Sequence, residues 1–170
     1  HQVRHWFVTM ALNEIHRMAP QAGNVYDYPQ YFDLLFRDET GLEADFVTGA
    51  ANKYLRRPLR TILEPGCGGG RLVVEMARRG YHVTGFDCSE PALRYLRGRL
   101  QRRQLTDRTR VVNADLAEFR VGSNYDLALC TFNTFRHLLR ENEAVSHLRC
   151  VAHSLRSGGI YILGFHLLPY

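Results

Sequence analysis

The 170-residue sequence has no long apolar stretch, a single tryptophan and a single lysine. No apolar run approaches the roughly 20 residues of a membrane-spanning helix, and the first residues lack the pattern of a secretory signal peptide. We therefore expect no membrane partner and a cytoplasmic location. With 45% hydrophobic and 23% charged residues, the chain is typical of one globular domain that is large enough to bury a core.

Cysteine is also scarce. Cys67, Cys88, Cys130 and Cys150 stand singly, without a C-x-x-C pair and without a His/Cys cluster at the spacing of zinc ligands. This pattern predicts reduced thiols and no metal site.

The net charge of +5 comes almost entirely from arginine, because Lys53 is the only lysine. Seven arginines fall between positions 94 and 110, and such a run can bind phosphates. After Tyr95, however, no aromatic residue is interleaved with them to stack on bases, and the run is typical of a solvated helix face and the turn after it. The sequence therefore does not favour a nucleic-acid partner.

From position 60 the pattern alternates between short apolar segments and amphipathic ones. It predicts strands at 61–64, 81–86, 109–113, 125–131 and 160–165, helices at 69–79, 89–103 and 141–155, and a turn at Ser157-Gly158-Gly159. Repeated β-α-β units predict an α/β protein with a doubly wound, Rossmann-like, mostly parallel sheet. Right-handed crossovers give the strand order 3-2-1-4-5.

A glycine-rich loop joins the first predicted strand to its helix. The segment 61–72 reads Thr-Ile-Leu-Glu-Pro-Gly-Cys-Gly-Gly-Gly-Arg-Leu, so Glu64 ends the strand and Gly66, Gly68 and Gly70 form the loop. Glycines at this junction let the backbone approach a ligand closely. A dinucleotide fingerprint would place its third glycine at Arg71. The spacing E-x-G-x-G-x-G instead resembles motif I of the class I S-adenosylmethionine-dependent methyltransferases.

Acidic residues follow two further strands. Asp87 lies 23 residues after Glu64, where a carboxylate can accept hydrogen bonds from both hydroxyls of a ribose or can cap the next helix. Asp115 follows the third strand and suits an adenine amine, while the backbone amide of Leu116 suits a ring nitrogen. Asp87 alone fits a nicotinamide enzyme equally well, but the two acids together favour the methyltransferase.

The same ordered segments, over about residues 59–165, look like the sequential motifs of the class I methyltransferase domain. The resemblance implies S-adenosylmethionine as cofactor and S-adenosylhomocysteine as product. It implies that Glu64 and the loop glycines hold the methionine part, that Asp87 holds the ribose, and that Asp115 and Leu116 hold the adenine. The remaining residues expected at the cofactor are Cys67, Cys88, Phe132, Asn133 and Tyr31. Tyr31 and Tyr28 are expected to act as lid residues.

The acceptor is constrained by what the sequence lacks. The segment Thr131-Phe-Asn-Thr lacks the proline pair found in methyltransferases that act on exocyclic amines. Cys130 is not preceded by proline, as the nucleophilic cysteine of cytosine-carbon methyltransferases usually is. The resemblance is instead to small-molecule methyltransferases that act on nitrogen or oxygen. Catalytic residues are poorly marked, because alignment and exclusion of water supply much of the rate. His137, His166 and Asn133 are the candidates, although a histidine near a strand end is commonly only hydrogen-bonded or solvated.

One domain is expected over 1–170, with a helical cap or lid at 1–57, including helices at 1–24 and 42–56, and a cofactor-binding core at 58–170. The family's sheet has seven strands, and strands six and seven are missing here. We therefore expect a longer natural chain, or a homo-oligomer that covers the apolar edge at 160–165. Two rival functions stay open: an NAD(P)-dependent oxidoreductase, disfavoured by Arg71 and Asp115, and an inactive cofactor-binding module that serves a partner.

Overall fold

The computed structural model describes residues 28–165, so the helix predicted at 1–24 and the candidate base His166 lie outside the described part of the chain. Two helices come first, α1 (Pro29–Leu35) and α2 (Arg37–Tyr54). The alternating part follows as β1 (Thr61–Pro65), α3 (Arg71–Arg78), β2 (His82–Asp87), α4 (Glu90–Arg102), β3 (Thr109–Asn113), β4 (Tyr125–Cys130), α5 (Glu141–Ser154) and β5 (Leu155–Leu163), with short 3₁₀ turns at Thr106–Arg108 and Thr134–His137.

The five strands form one sheet in the order β3-β2-β1-β4-β5, and every neighbouring pair is parallel. The predicted fold class and strand order are therefore confirmed. β1 lies at the centre, where Leu63 is paired with Thr84 on one side and with Ala128 on the other. None of the helices within residues 28–165 is both long and apolar enough to cross a membrane.

Successive residues of the central strands bury their side chains on opposite faces of the sheet. Ile62 and Leu127 belong to a core shared with helices α2, α3 and α4, whereas Leu63 and Ala128 belong to a second core with Phe119 and Val151. Because both faces are covered, these strands are apolar at nearly every position, as buried parallel strands generally are. The two cores fix the sheet, and the carboxyl ends of its strands meet at one edge.

Helix α2 is part of the first core. It begins at Arg37, five residues before the predicted start, and buries the small side chains of Ala44, Val47 and Ala51 against it. Small residues at these positions let the helix approach α3 closely. Within the segment 1–57 that we expect to act as a cap, this helix is fixed firmly to the α/β core; the division at residue 57 stays a prediction.

Strand β5 differs from the prediction. Residues 157–159 were expected to form a turn before a strand at 160–165, but they lie inside a strand that runs from Leu155 to Leu163. Tyr125 pairs with Leu155 and Leu127 pairs with Ile160, so extra residues of β5 are accommodated as a bulge. Gly158 supplies the left-handed backbone, with φ of 77°, that such an irregularity needs.

Candidate cofactor site

A cavity of about 600 Å³ lies beyond the carboxyl ends of the central strands. Its wall is formed by the glycine loop, the segment after β2, two residues after β3, the segment after β4, and α1 with the residue that follows it. The lining residues are Pro29, Asp33, Phe36, residues 64–71, residues 86–92, Arg99, Ala114, Leu116, Thr131, Phe132, Thr134 and His137. Ligands of open parallel sheets bind at this edge.

The glycine loop exposes its backbone to this cavity. At Gly68, which has φ of 51°, an added Cβ would meet no atom within 4 Å, so a ligand can approach the main chain there. Gly70 has the opposite surroundings, since a Cβ at that position would lie 2.1 Å from the Leu96 side chain. It adopts a left-handed conformation at the start of α3 and allows close packing against α4. Thus one glycine serves ligand access and the other serves packing.

Asp87 fastens the glycine loop to the end of β2. Its two carboxylate oxygens accept hydrogen bonds from the amides of Gly68 and Ser89, at 2.8 and 2.9 Å. The cap of α4 is provided by Ser89, whose hydroxyl accepts a hydrogen bond from the Ala92 amide at 3.3 Å. A carboxylate can accept about four hydrogen bonds. Asp87 therefore retains acceptor capacity on the cavity wall.

Glu64 is the least satisfied polar side chain of the site. It is only 8% exposed, yet its Oε2 atom has no hydrogen-bond partner among the described residues. Burial raises the pKa of its carboxyl to about 8, although nearby Arg71 opposes the rise. Buried polar atoms are nearly always paired, and an exception on a cavity wall calls for a ligand. The group that fits is a hydrogen-bond donor with positive charge.

Arg71 connects three parts of the site. It donates hydrogen bonds to Glu43 and, at 3.0 Å, to the hydroxyl of Thr40, both on α2. Its guanidinium carbon lies 4.8 Å from the ring centroid of Phe132, and this ring packs edge-on against Phe36 at 4.3 Å. From the sequence, Arg71 was notable only because it stands where a dinucleotide fingerprint has its third glycine. Its position directly after the loop was the available sign of a role in the site. No feature of the sequence indicated a role for Glu43.

Helix α1 is held over the loop by a second ion pair. Asp33 pairs with Arg99 at 2.8 Å and accepts a hydrogen bond from the Tyr95 hydroxyl at 3.2 Å. Arg99 also donates to the carbonyl of Gly69 at 3.0 Å. One member of the arginine run is thus buried and structural rather than part of a solvated face. Tyr31 is 46% exposed and does not line the cavity, so its role as a lid residue stays a prediction.

The segment after β4 has an unusual backbone. Phe132 and Asn133 both have positive φ, 59° and 64°, which is uncommon for residues other than glycine and costs energy. Phe132 and His137 line the cavity, whereas Asn133 does not. Strain of this kind is found at functional sites, and here it directs the Phe132 ring toward Arg71 and Phe36.

Leu116 lines the cavity, but Asp115 is exposed, lies off the wall and accepts a hydrogen bond from the Ala117 amide at 2.6 Å. Buried Cys67 and exposed Cys88 both line it, and desolvation by the surrounding atoms raises the pKa of both thiols, that of Cys67 well above its ordinary value. A thiol with a raised pKa is a poor nucleophile. Within residues 28–165 no three His, Cys, Asp or Glu side chains are grouped to hold a metal ion.

Comparison with known proteins gives several matches. The cypemycin N-terminal methyltransferase of a Streptomyces species is 30% identical over 137 residues, covering 74% of this chain and 54% of that protein. The ubiquinone biosynthesis O-methyltransferase of Hahella chejuensis is 32% identical over 120 residues, covering 70% of this chain and 48% of that protein. A crystal structure of an S-adenosylmethionine-dependent methyltransferase from Clostridium acetobutylicum superposes with a TM-score of 0.71 at 19% identity, covering 82% of this chain and 57% of that one.

The chain spans about half the length of these curated relatives. The crystal structure, at 19% identity, shows that the fold is shared. The two relatives, at 30% and 32% identity, show that the sequences are related. The family model described as a methyltransferase domain matches residues 62–159, which include the glycine loop, Asp87 and the segment after β4. The chain therefore belongs to the methyltransferase-domain family, as its resemblance to the class I S-adenosylmethionine-dependent enzymes predicted.

Proposed function

We propose that this protein is an S-adenosylmethionine-dependent methyltransferase that methylates a nitrogen or oxygen atom of a small molecule. The observation that carries the proposal is Glu64, a buried carboxylate with an unpaired oxygen on the wall of a cavity formed by a glycine loop. The amino-acid part of the cofactor carries an ammonium group, which supplies the charged donor that this oxygen lacks.

The other lining residues fit the rest of the cofactor. The open backbone at Gly68 permits close approach, and Asp87 has acceptor capacity left for ribose hydroxyls. Leu116 offers an apolar surface for a base, and by the resemblance its amide and Asp115 would bind the adenine edge. When bound, the cofactor would supply an electrophilic methyl group.

The protein's own contribution to transfer would be alignment and exclusion of water. Phe36 and Phe132 line the cavity with rings that pack against each other, and Arg71 lies over the Phe132 ring. These rings would cover the methionine part of the cofactor. His137 lines the same cavity and is our candidate for accepting a proton from the acceptor. An in-line displacement gains rate from such positioning.

The names of the relatives support both nitrogen and oxygen as the acceptor atom, since one is an N-terminal methyltransferase and the other an O-methyltransferase. A nicotinamide oxidoreductase is disfavoured because Arg71 stands at the third glycine position of its fingerprint and is engaged by Thr40 and Glu43. A cytoplasmic location and a homo-oligomer that covers β5 stay predictions.

Calorimetric titration of the chain with S-adenosylhomocysteine and, separately, with NAD tests the cofactor assignment. We expect binding of S-adenosylhomocysteine and no heat of binding with NAD. Binding of NAD alone would overturn the proposal.

Activity is tested on the full-length natural protein with methyl-labelled S-adenosylmethionine and a panel of small amines, phenols and sugars. Transfer of label to a member of the panel is the expected result. A protein that binds S-adenosylhomocysteine but transfers no methyl group to any acceptor would instead be the inactive module.

A further inference from the structure

Glu64 and Arg71 flank the glycine loop in the sequence, and Arg71 is paired with a carboxylate from another element of the fold. Arg71, the first residue of α3, is paired with Glu43 of α2, while Glu64 at the end of β1 has an oxygen without a partner. Glu64 and Arg71 both line the cavity, and the charges of Arg71 and Glu43 act on the pKa of Glu64 in opposite directions, since Arg71 lowers it and Glu43 raises it. The guanidinium of Arg71 is thus paired with the carboxylate that does not line the cavity, while the carboxyl group that does line it is left without this partner.

The position of Arg71 is fixed by more than its charge. Thr40 donates its hydroxyl hydrogen to the carbonyl of Phe36 at 2.9 Å, which leaves its oxygen free to accept from Arg71 at 3.0 Å. The guanidinium also lies over the ring of Phe132, with its carbon 4.8 Å from the ring centroid. Arg71 is thus held toward α2 by a carboxylate, a hydroxyl and an aromatic ring, a set of contacts that suits the planar guanidinium group.

The partner of Arg71 decides whether the charge of Glu64 is compensated by the protein. If Arg71 were paired with Glu64, the charge of Glu64 would be compensated and its unpaired oxygen would be satisfied from within the protein. Because Glu43 neutralises Arg71, the negative charge of an ionised Glu64 is not compensated by Arg71. A buried charge is tolerated when a ligand of opposite charge completes the pair.

We propose that Glu43 is a positioning residue for the cofactor: it holds Arg71 away from Glu64 and so keeps the Glu64 carboxylate available to the ammonium group of the bound ligand. The inference rests on the proposed function. It assigns a role in binding to a side chain that is outside every glycine-loop and strand-end motif and does not line the cavity.

The test compares two ligands that differ in the amino-acid part. S-adenosylhomocysteine carries the ammonium and carboxylate groups, whereas 5′-methylthioadenosine keeps the nucleoside and lacks both. In Glu43→Gln, Arg71 is released toward Glu64, so we expect the affinity for S-adenosylhomocysteine to fall about tenfold, the usual worth of a charge-assisted hydrogen bond. The affinity for 5′-methylthioadenosine should stay unchanged.

The double variant Glu43→Gln, Arg71→Gln provides the decisive comparison. It removes two opposite charges, so the net field at Glu64 is nearly that of the original protein, and no guanidinium competes for the carboxylate. We expect the affinity for S-adenosylhomocysteine to return to within about threefold of the original value. A purely structural role of the ion pair would not allow this recovery, because the double variant lacks the pair entirely.

Two controls accompany the measurement. Glu39→Gln makes the same chemical change at an exposed position of α2 and should leave both affinities unchanged. Thr40→Val keeps all three charges and removes only the hydroxyl that orients Arg71. It should shift the ratio of the two affinities in the same direction by about threefold. This variant keeps the proposal testable if Glu43→Gln does not fold, and thermal unfolding of each variant monitors the fold.

The outcomes separate this inference from the proposed function. If the unaltered chain binds S-adenosylhomocysteine but Glu43→Gln weakens both ligands equally, or strengthens S-adenosylhomocysteine because Arg71 takes its carboxylate, only the role of Glu43 is wrong. If the double variant does not regain its affinity for S-adenosylhomocysteine, the role of Glu43 is likewise wrong. If the unaltered chain binds neither ligand, the proposed function itself is wrong and the inference fails with it.

Discussion

Two buried ionisable side chains near the carboxyl end of the sheet have opposite surroundings. His147 on α5 is 0% exposed, and Glu64 at the end of β1 is 8% exposed. The ring of His147 makes hydrogen bonds from both nitrogens, to the Leu116 carbonyl at 2.8 Å and to the Tyr161 hydroxyl at 2.7 Å. Glu64, in contrast, has an oxygen with no partner among the described residues.

The hydrogen-bond network determines the state of His147. A carbonyl can only accept, so Nδ1 carries the hydrogen and Nε2 accepts from Tyr161. Burial lowers the pKa of His147, which keeps the ring neutral, and Phe119 and Phe135 pack against it edge-on. Both ring nitrogens of His147 thus have partners within the protein, whereas one oxygen of Glu64 has none among the described residues. A hydrogen-bonding group without a partner on a cavity wall, rather than burial or titratability alone, therefore distinguishes the candidate site from a structural network.

The largest effect is expected where the complete network is broken. His147→Leu leaves the Leu116 carbonyl and the Tyr161 hydroxyl buried without their partner, which should lower the free energy of unfolding by about 3 kcal/mol. Chemical denaturation measures the change. His153→Leu is the matched control, because His153 is an exposed histidine of the same helix and its replacement should have little effect.

An equal response of the two histidine variants would contradict the assignment of His147 as a structural group. A folded His147→Leu protein that no longer binds S-adenosylhomocysteine would also break the contrast, since it would give His147 a place in the ligand site.

The second-largest effect is expected at Glu64, whose Oε2 atom has no hydrogen-bond partner among the described residues. Glu64→Gln removes the charge but keeps the size of the side chain, so the affinity for S-adenosylhomocysteine should fall by about 2 kcal/mol through loss of a charge-assisted hydrogen bond. Stability at neutral pH should rise, because the folded protein no longer has to bury a carboxyl that the unfolded chain ionises freely. Titration calorimetry and denaturation measure the two changes, and exposed Glu118→Gln is the control. Loss of stability without loss of affinity would make Glu64 a structural residue.

The pH dependence gives a third and smaller effect. The carboxyl of Glu64 has its pKa raised from 4.5 to about 8. The free energy of unfolding should therefore fall as the pH rises from about 4.5 to about 8, because the unfolded chain ionises first. Affinity for S-adenosylhomocysteine should change in the opposite direction. It should increase about ninefold between roughly pH 6 and pH 7, provided that the bound carboxylate stays ionised.

His147 contributes to stability with the opposite sign. Its lowered pKa means that stability falls as the pH drops below the ordinary histidine value of about 6.5. Measuring the unaltered protein and Glu64→Gln in parallel separates the two groups and cancels ionisation of the ligand. A pH profile of affinity that is the same in both proteins would contradict the role of Glu64.

The fold and half of the site were predictable because their signals are local. Strand order follows from alternating apolar segments, and Glu64, the loop glycines and Asp87 stand at strand ends within short motifs. Burial of Glu64 also follows from its place at the end of a central strand. That one oxygen of Glu64 lacks a hydrogen-bond partner could not be predicted, because it depends on which carboxylate pairs with the Arg71 guanidinium.

The rest depends on contacts between distant parts of the chain. Arg71 meets Glu43 across 28 residues, and His147 meets Leu116 across 31, without any spacing that would reveal the pairs. The exposed position of Asp115 likewise depends on a short turn to Ala117. Residues 157–159 have the composition of a turn but form a bulge, because pairing with β4 overrides local preference.

The smallest effect sharpens the comparison from the structural side. Tyr161→Phe removes one hydroxyl of the network, which leaves Nε2 of His147 without a donor but keeps the hydrogen bond from Nδ1 to Leu116. Because one buried acceptor is orphaned rather than two groups, the free energy of unfolding should fall by about 1 kcal/mol, roughly a third of the effect of His147→Leu. Affinity for S-adenosylhomocysteine should not change, because Leu116 stays anchored. Denaturation and titration of Tyr161→Phe beside Tyr81→Phe, a half-buried tyrosine outside the network, measure both quantities. If Tyr161→Phe instead lowered the affinity for S-adenosylhomocysteine without lowering stability, the hydrogen-bond network of His147, Leu116 and Tyr161 would belong to the ligand site together with Glu64.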